Sequence, residues 1–230
     1  MAPMSPLLAF AEDTLQLAAL AAMAVVYVLK VRWILSFPAG GDRQAPNPGP
    51  ATTAARGAQH SLFAIALPWE MASTRRHPLF YVQFVIFHLA VAASIAMSFV
   101  IPYAPRLLAG RHAVGALQTL FAAAAVMGVI RLFRRISDPA VRAISSPDDY
   151  FSLALLVVWL ALSFLAAPND HRRTEAPLLA YFVLTAFFLL YVPFSKISHY
   201  LYYPFARWYL GRTLGHRGVY PARQREAAAR

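Results

Sequence analysis

The chain contains no cysteine. That rules out disulfides, thiolate-held iron–sulfur clusters, a Cys-x-x-Cys-His haem attachment and thiol redox chemistry. Charge is also scarce: 13% of residues are charged, against about 25% in a soluble domain. Acids are the scarcer sign, 10 against 21 bases. No Lys or Arg precedes Lys30, and the opening apolar run carries Glu12 and Asp13 instead. A secretory signal needs a positive leader, so this run reads as a retained first helix. No acid falls deep within the later apolar runs and no internal repeat is visible. Both absences speak against a transporter, which typically places charge or broken, repeated helices at the midplane.

Hydrophobic residues fill the space left by charge. They make up 59% of the 230 residues, and mean hydropathy is +0.50. A membrane helix needs about 20 mostly apolar residues. Five runs meet that length, at about 10–35, 79–103, 113–133, 150–167 and 177–203. The expected fold is an all-α membrane protein: one membrane domain over 1–230, built as a five-helix bundle. A long loop (36–76) and a tail (204–230) flank it. The loop begins with the Pro/Gly-rich stretch Pro38 to Pro50, a flexible linker pattern. Its later part, Ser61 to Met71, is apolar enough to lie on a membrane or under a partner. Pro78 suits a first helical position, Ser146 a cap, and Pro193 marks a kink.

A net charge of +11 raises the question of nucleic acid. The bases sit in loops and at helix ends, not on one face, so no nucleic-acid partner is expected. Loop 36–76, the connection after the third run and the tail, each counted with the adjoining run ends, together hold seventeen Lys and Arg. The other two connections hold four: Arg106, Arg111, Arg172 and Arg173. By the positive-inside rule the N-terminus lies outside and the C-terminus in the cytoplasm. The aromatic cluster Tyr200, Tyr202, Tyr203, Trp208 and Tyr209 marks the inner interface. The expected location is the bacterial inner membrane, crossed several times.

Seven histidines remain to carry chemistry, and two of them fall at membrane depth. His88 lies about 13 Å past the inner start of the second run, at 1.5 Å per residue. His199 lies about 6–13 Å short of the inner interface of the fifth. Two neutral imidazoles at matched depth are suited to ligate a non-covalently held haem b. Ala92 and Ala93 leave room beside His88, and Ser195 is one turn from His199. Either imidazole could instead serve a structural hydrogen bond. His77 and His216 share the cytoplasmic side and form a possible second pair. His112, beside Arg111, could meet a quinone head group. His60 and His171 are assigned no role.

Three stretches together resemble a known family. Pro193-Phe-Ser-Lys-Ile-Ser-His199 is similar to the Pro-Phe-Ser-Arg-Leu-x-His motif of the respiratory nitrate reductase gamma subunit, a five-helix dihaem cytochrome b. Arg134 to Ala143 in the third connection and Phe87-His88 are the other two matches. The stretch from Ser198 through Pro221 looks more like the cytochrome b subunits of transmembrane redox complexes in sulfate reducers. The resemblance covers about residues 79–221. The family's outer pair of haem ligands is replaced by Ser98 and Tyr181, neither a good ligand, so the inner haem is retained and the outer one lost. The family's quinol site lies beside that outer haem. Arg111 falls about where the family places a basic quinol residue; otherwise a quinone could fill the space near Ser98 and Tyr181. The propionates of the inner haem would pair with Lys196, Arg75, Arg76 or Arg207.

The function these readings imply is a membrane-anchoring electron conduit without its own terminal catalytic site. It would pass electrons between the quinone pool and a cytoplasmic iron–sulfur or heterodisulfide-reductase-like subunit, or a multihaem cytochrome c. One haem b is expected and two are possible. The alternative is a haem-free membrane anchor or assembly subunit.

Overall fold

The computed structural model describes residues 4–38, 40–47, 52–67, 69 and 71–221. They form nine α-helices and no strand. In chain order these are α1 (Pro6–Ser36), α2 (Ala54–Phe63), α3 (Ala72–Arg76), α4 (Pro78–Tyr103) and α5 (Arg111–Ser137). They continue with α6 (Pro139–Ala143), α7 (Pro147–Ala166), α8 (Ala176–Tyr191) and α9 (His199–His216). α1 contains a π-helical stretch, Phe10–Leu15. Five helical segments are long and apolar enough to cross a membrane: α1, α4, α5, α7 and Ala176–Phe194. They match the five runs read from hydropathy.

The helix starts follow local chemistry. Pro6, Pro139 and Pro147 each open a helix, where a missing amide costs nothing. Ser5 Oγ accepts from the Leu8 amide, and Asp138 accepts from the Ala140 and Val141 amides. At α7 the Asp149 carboxylate reaches back to the Ser146 amide and hydroxyl, both at 2.8 Å.

The fifth run differs from expectation. It is not one helix over 177–203. The α-helix stops at Tyr191, and 3-10 turns at Val192–Phe194 and Lys196–Ser198 follow. Pro193 cannot donate to the helical ladder, and Ser195 is extended (ψ 170°). The break is held from α7: Asp148 accepts from the Lys196 amide at 2.9 Å, and Asp149 from Lys196 Nζ at 2.5 Å. The expected tail is likewise helical as far as His216.

The chain falls into two compact units. The first comprises Met1–Val28 and Val82–Ile197. Its core gathers Phe87, Ala90 and Met97 of α4, Phe121 and Ala124 of α5, Trp159 and Leu160 of α7, and Tyr181, Phe182 and Phe188 of α8. A line of polar side chains threads this core. Ser94 and Ser163 share a hydrogen bond of 2.6 Å. Trp159 Nε1 donates to Thr185 Oγ1 at 2.8 Å, and Tyr181 donates its hydroxyl to the Ser94 carbonyl at 2.6 Å. In a hydrocarbon solvent such bonds fix helix register, since a wrong register would leave buried polar groups unpaired. Gln16 adds another, to the Phe182 carbonyl at 2.6 Å.

The second unit comprises Leu29–Tyr81 and Ser198–Arg230. Its centre is the pairing of α2 with α9. Gly57 faces Gly211 and Gly215 so closely that a Cβ on Gly57 would lie 2.2 Å from the Gly211 carbonyl oxygen. Only glycine permits this backbone approach. Residues 42–47, expected as flexible linker, are strapped to the end of α9. Arg217 grips Asp42 with two bonds of 2.7 and 3.1 Å, and Asn47 donates its amide to the His216 carbonyl. Arg217 holds the Asp42 carboxyl down at about 2, by its hydrogen bonds first and then by the Gln44 amide.

Candidate functional site

His88 stands ten residues into α4, on an exposed part of the helix surface. Its Nδ1 is 2.7 Å from the Phe84 carbonyl, one turn earlier. An imidazole beside a carbonyl donates to it, and the tautomer that does so presents its lone pair at Nε2. This is the arrangement that fixes a metal-ligating histidine. Phe84 lies tilted beside the ring at 4.0 Å and Phe87 meets it edge-on at 6.4 Å. The site thus consists of one oriented imidazole on the surface of α4.

His199 is the first residue of α9, five positions beyond the fifth apolar segment. This corrects its expected place inside a continuous fifth helix. It is exposed and its ring meets Tyr200 at 6.4 Å. Ser195, expected to serve its ring, donates to the Val192 carbonyl at 3.1 Å. His88 and His199 belong to different units, and each is described within its own.

His216 spends Nε2 on the Gln44 carbonyl at 3.0 Å. His77 is exposed, with Phe80 at 5.8 Å. Of the bases assigned to propionates, Lys196 pairs with Asp149, Arg207 donates to the Ser61 carbonyl, and Arg75 donates to the Trp69 carbonyl. Arg76 is exposed.

Arg111 and His112 come together. With Ile86, Gly115, Ala116, Thr119, Leu120 and Ala123 they line an open groove of about 700 Å³ between α4 and α5. Tyr181 and Ser98 do not join them. Tyr181 is fully buried with its hydroxyl committed to Ser94, and Ser98 bonds its own helix at the Ile95 carbonyl.

One residue was passed over in the sequence. Arg131 reads there as part of the basic stop Arg131-Leu-Phe-Arg-Arg135. In the fold its guanidinium lies 5.7 Å from the centre of the Phe87 ring, next to His88 in sequence. The only signal in the sequence was that Arg131 precedes the other bases by most of a turn, on the apolar side of the boundary.

Among the described residues no three His, Asp or Glu side chains converge on one metal position. The five long apolar helices in an all-helical fold point to a multi-pass membrane protein. No family model matches the chain, and no solved structure matches it. A curated protein of Nitratidesulfovibrio vulgaris, named only "Protein", is 27% identical over 206 residues. The match takes in 84% of this chain and 83% of that one, so the two are similar almost end to end.

Proposed function

We propose that the chain is the membrane cytochrome b subunit of a bacterial oxidoreductase complex, with His88 and His199 as axial ligands of one haem b. The observation that carries the reading is an imidazole on a membrane-length helix with its Nδ1 tied to a backbone carbonyl, in a chain with no thiolate to offer iron. A second imidazole stands just past the fifth apolar segment. Successive spans alternate in direction. The start of the second and the end of the fifth therefore fall on one side of the membrane, and both histidines belong to that side.

That side is the cytoplasm by the distribution of Lys and Arg, with the N-terminus outside and the inner membrane as the location. Bound haem would supply one-electron transfer between the quinone pool and a partner. The partner is an iron–sulfur or heterodisulfide-reductase-like subunit in the cytoplasm, or a multihaem cytochrome c. Nine Lys and Arg lie within the second unit's described residues, among them Arg217, which bonds the Asp42 carboxylate. This basic surface suits docking to an acidic protein partner.

The test is a pyridine haemochrome assay on the chain purified with its complex. Wild type should carry about one haem b per polypeptide, and His88→Ala should carry none. Wild type without haem would leave the haem-free anchor as the function.

A further inference from the structure

We propose that Arg131 is the cation that pairs with a carboxylate of the haem at His88, and so sets that haem's reduction potential. The proposal rests on the haem reading above and goes beyond it by naming a residue assigned no role there. Arg131, Phe87 and His88 all lie in the first unit.

Three observations meet at this point. First, Gly128 lets α5 pack closely on α7 and leaves Phe87 of α4 at ordinary contact distance. A Cβ there would lie 2.5 Å from Val157 Cγ2 and 3.5 Å from Phe87 Cε2. Arg131, three residues on, lies over the Phe87 ring, at 5.7 Å from its centre. Phe87 is buried, and its ring is 6.4 Å from that of His88.

Second, Arg131 differs from the bases around it. Arg134 lies 3.8 Å from Asp138, and Arg135 lies 3.8 Å from Asp149 and donates to Ser145. Arg142 donates to the Ile136 carbonyl, and Lys196 pairs with Asp149. Arg131 makes no ion pair among the described residues, although it is partly buried and lies within a membrane-length helix. An aromatic face offsets only part of the cost of taking a guanidinium out of water. An anion beside Phe87 would offset the rest.

Third, the chemistry of the anion is constrained. A guanidinium over an aromatic ring keeps its planar fork of N–H donors, which matches a carboxylate in a two-bond arrangement. Haem b carries two propionate carboxylates at one edge. Of the four bases first assigned to them, Lys196, Arg75 and Arg207 are already bonded to protein, and Arg76 is exposed. A lipid phosphate offers the same anionic oxygens and is the competing source.

A positive charge beside the haem favours its reduced form, so removing the charge must lower the potential. The experiment is a spectroelectrochemical titration of the purified complex, with haem and lipid phosphorus counted per chain. At a fixed potential, Arg131→Gln should shift the reduced-to-oxidised ratio about tenfold toward oxidised, equivalent to about 59 mV for one electron. Arg131→Lys keeps the charge but not the fork, so it should move in the same direction by less. It also serves if the glutamine variant does not fold. Arg134→Gln, the same charge change four residues from Asp138, should leave the potential where it was. Haem present in wild type with an unmoved potential in Arg131→Gln overturns this proposal alone. An unmoved potential with loss of co-purified anionic phospholipid assigns the guanidinium to a headgroup and overturns it too. Absence of haem from wild type overturns the haem reading itself.

Discussion

Replacing Gly211 with alanine should pry apart α2 and α9, whereas the same change at Gly115 should be harmless or stabilising. A Cβ on Gly211 would lie 2.3 Å from the Gly57 carbonyl oxygen and 2.5 Å from Ser61 Cβ. One neighbour is backbone and the other is held at zero exposure, so neither can swing away. The helices must separate by most of an ångström. Overpacking of this kind costs about 1–3 kcal/mol, and a clash with backbone belongs at the upper end. Alanine returns about 1 kcal/mol through its better helix propensity. The net is about 2 kcal/mol, or about 30-fold in the opening equilibrium. At Gly115 nothing lies within 4 Å of the added methyl, so only the propensity gain of about 1 kcal/mol remains. The absence of native cysteine provides the assay. Ser61→Cys is nearly isosteric and fully buried, and Ser61 Oγ has no hydrogen-bond partner to lose. Its rate of alkylation reports opening of the helix pair. Gly211→Ala should raise that rate about 30-fold, the ratio worked above, and Gly115→Ala should not raise it. Equal rates in the Gly211 variant and its parent would refute the steric argument.

The strap over residues 42–47 should be sensitive to acid. The Asp42 carboxyl is held at about 2 against its usual 3.8, so the clamp to Arg217 is complete above the usual value and is lost as pH falls through the lower one. Hydrogen exchange at the Asn47 amide should accelerate across that window, and Asp42→Asn should remove the pH dependence while leaving the strap loose throughout. In the buried polar line of the first unit, Thr185→Val should cost more than Tyr181→Phe. The valine orphans the Trp159 indole N–H, at about 1–3 kcal/mol. The phenylalanine removes one hydroxyl from an interhelical bond worth about 0.6 kcal/mol in membranes. Denaturation in mixed micelles ranks the two, and a phenylalanine variant at least as unstable as the valine one would contradict the order.

Much of the architecture was legible in the residues because its causes are local. Transfer to hydrocarbon depends on composition over about 20 residues, so the five apolar helices could be read off directly. The helix starts at Pro147 and Ser146 depend on a few neighbouring atoms, and they too were visible. The fifth run misled because Pro193 was read as a kink. Whether a proline bends or ends a helix depends on what receives the chain beyond it. Here Asp148 and Asp149, more than forty residues away, accept the Lys196 amide and ammonium.

The sequence by itself determined the class: cysteine-free, five helices of membrane length, and charge kept to loops and ends. Tertiary structure alone decided which partners those residues meet. It committed Tyr181 to Ser94 and His216 to Gln44, and it spent Lys196, Arg75 and Arg207 on protein partners. It turned part of an apparent linker into a helix that packs on Gly211 and Gly215, and it set Arg131 over Phe87. The physical reason is range. Hydropathy and capping act within a turn or two of helix. Close backbone approach and buried hydrogen bonds join segments far apart in the chain, and no local pattern records which segment will arrive.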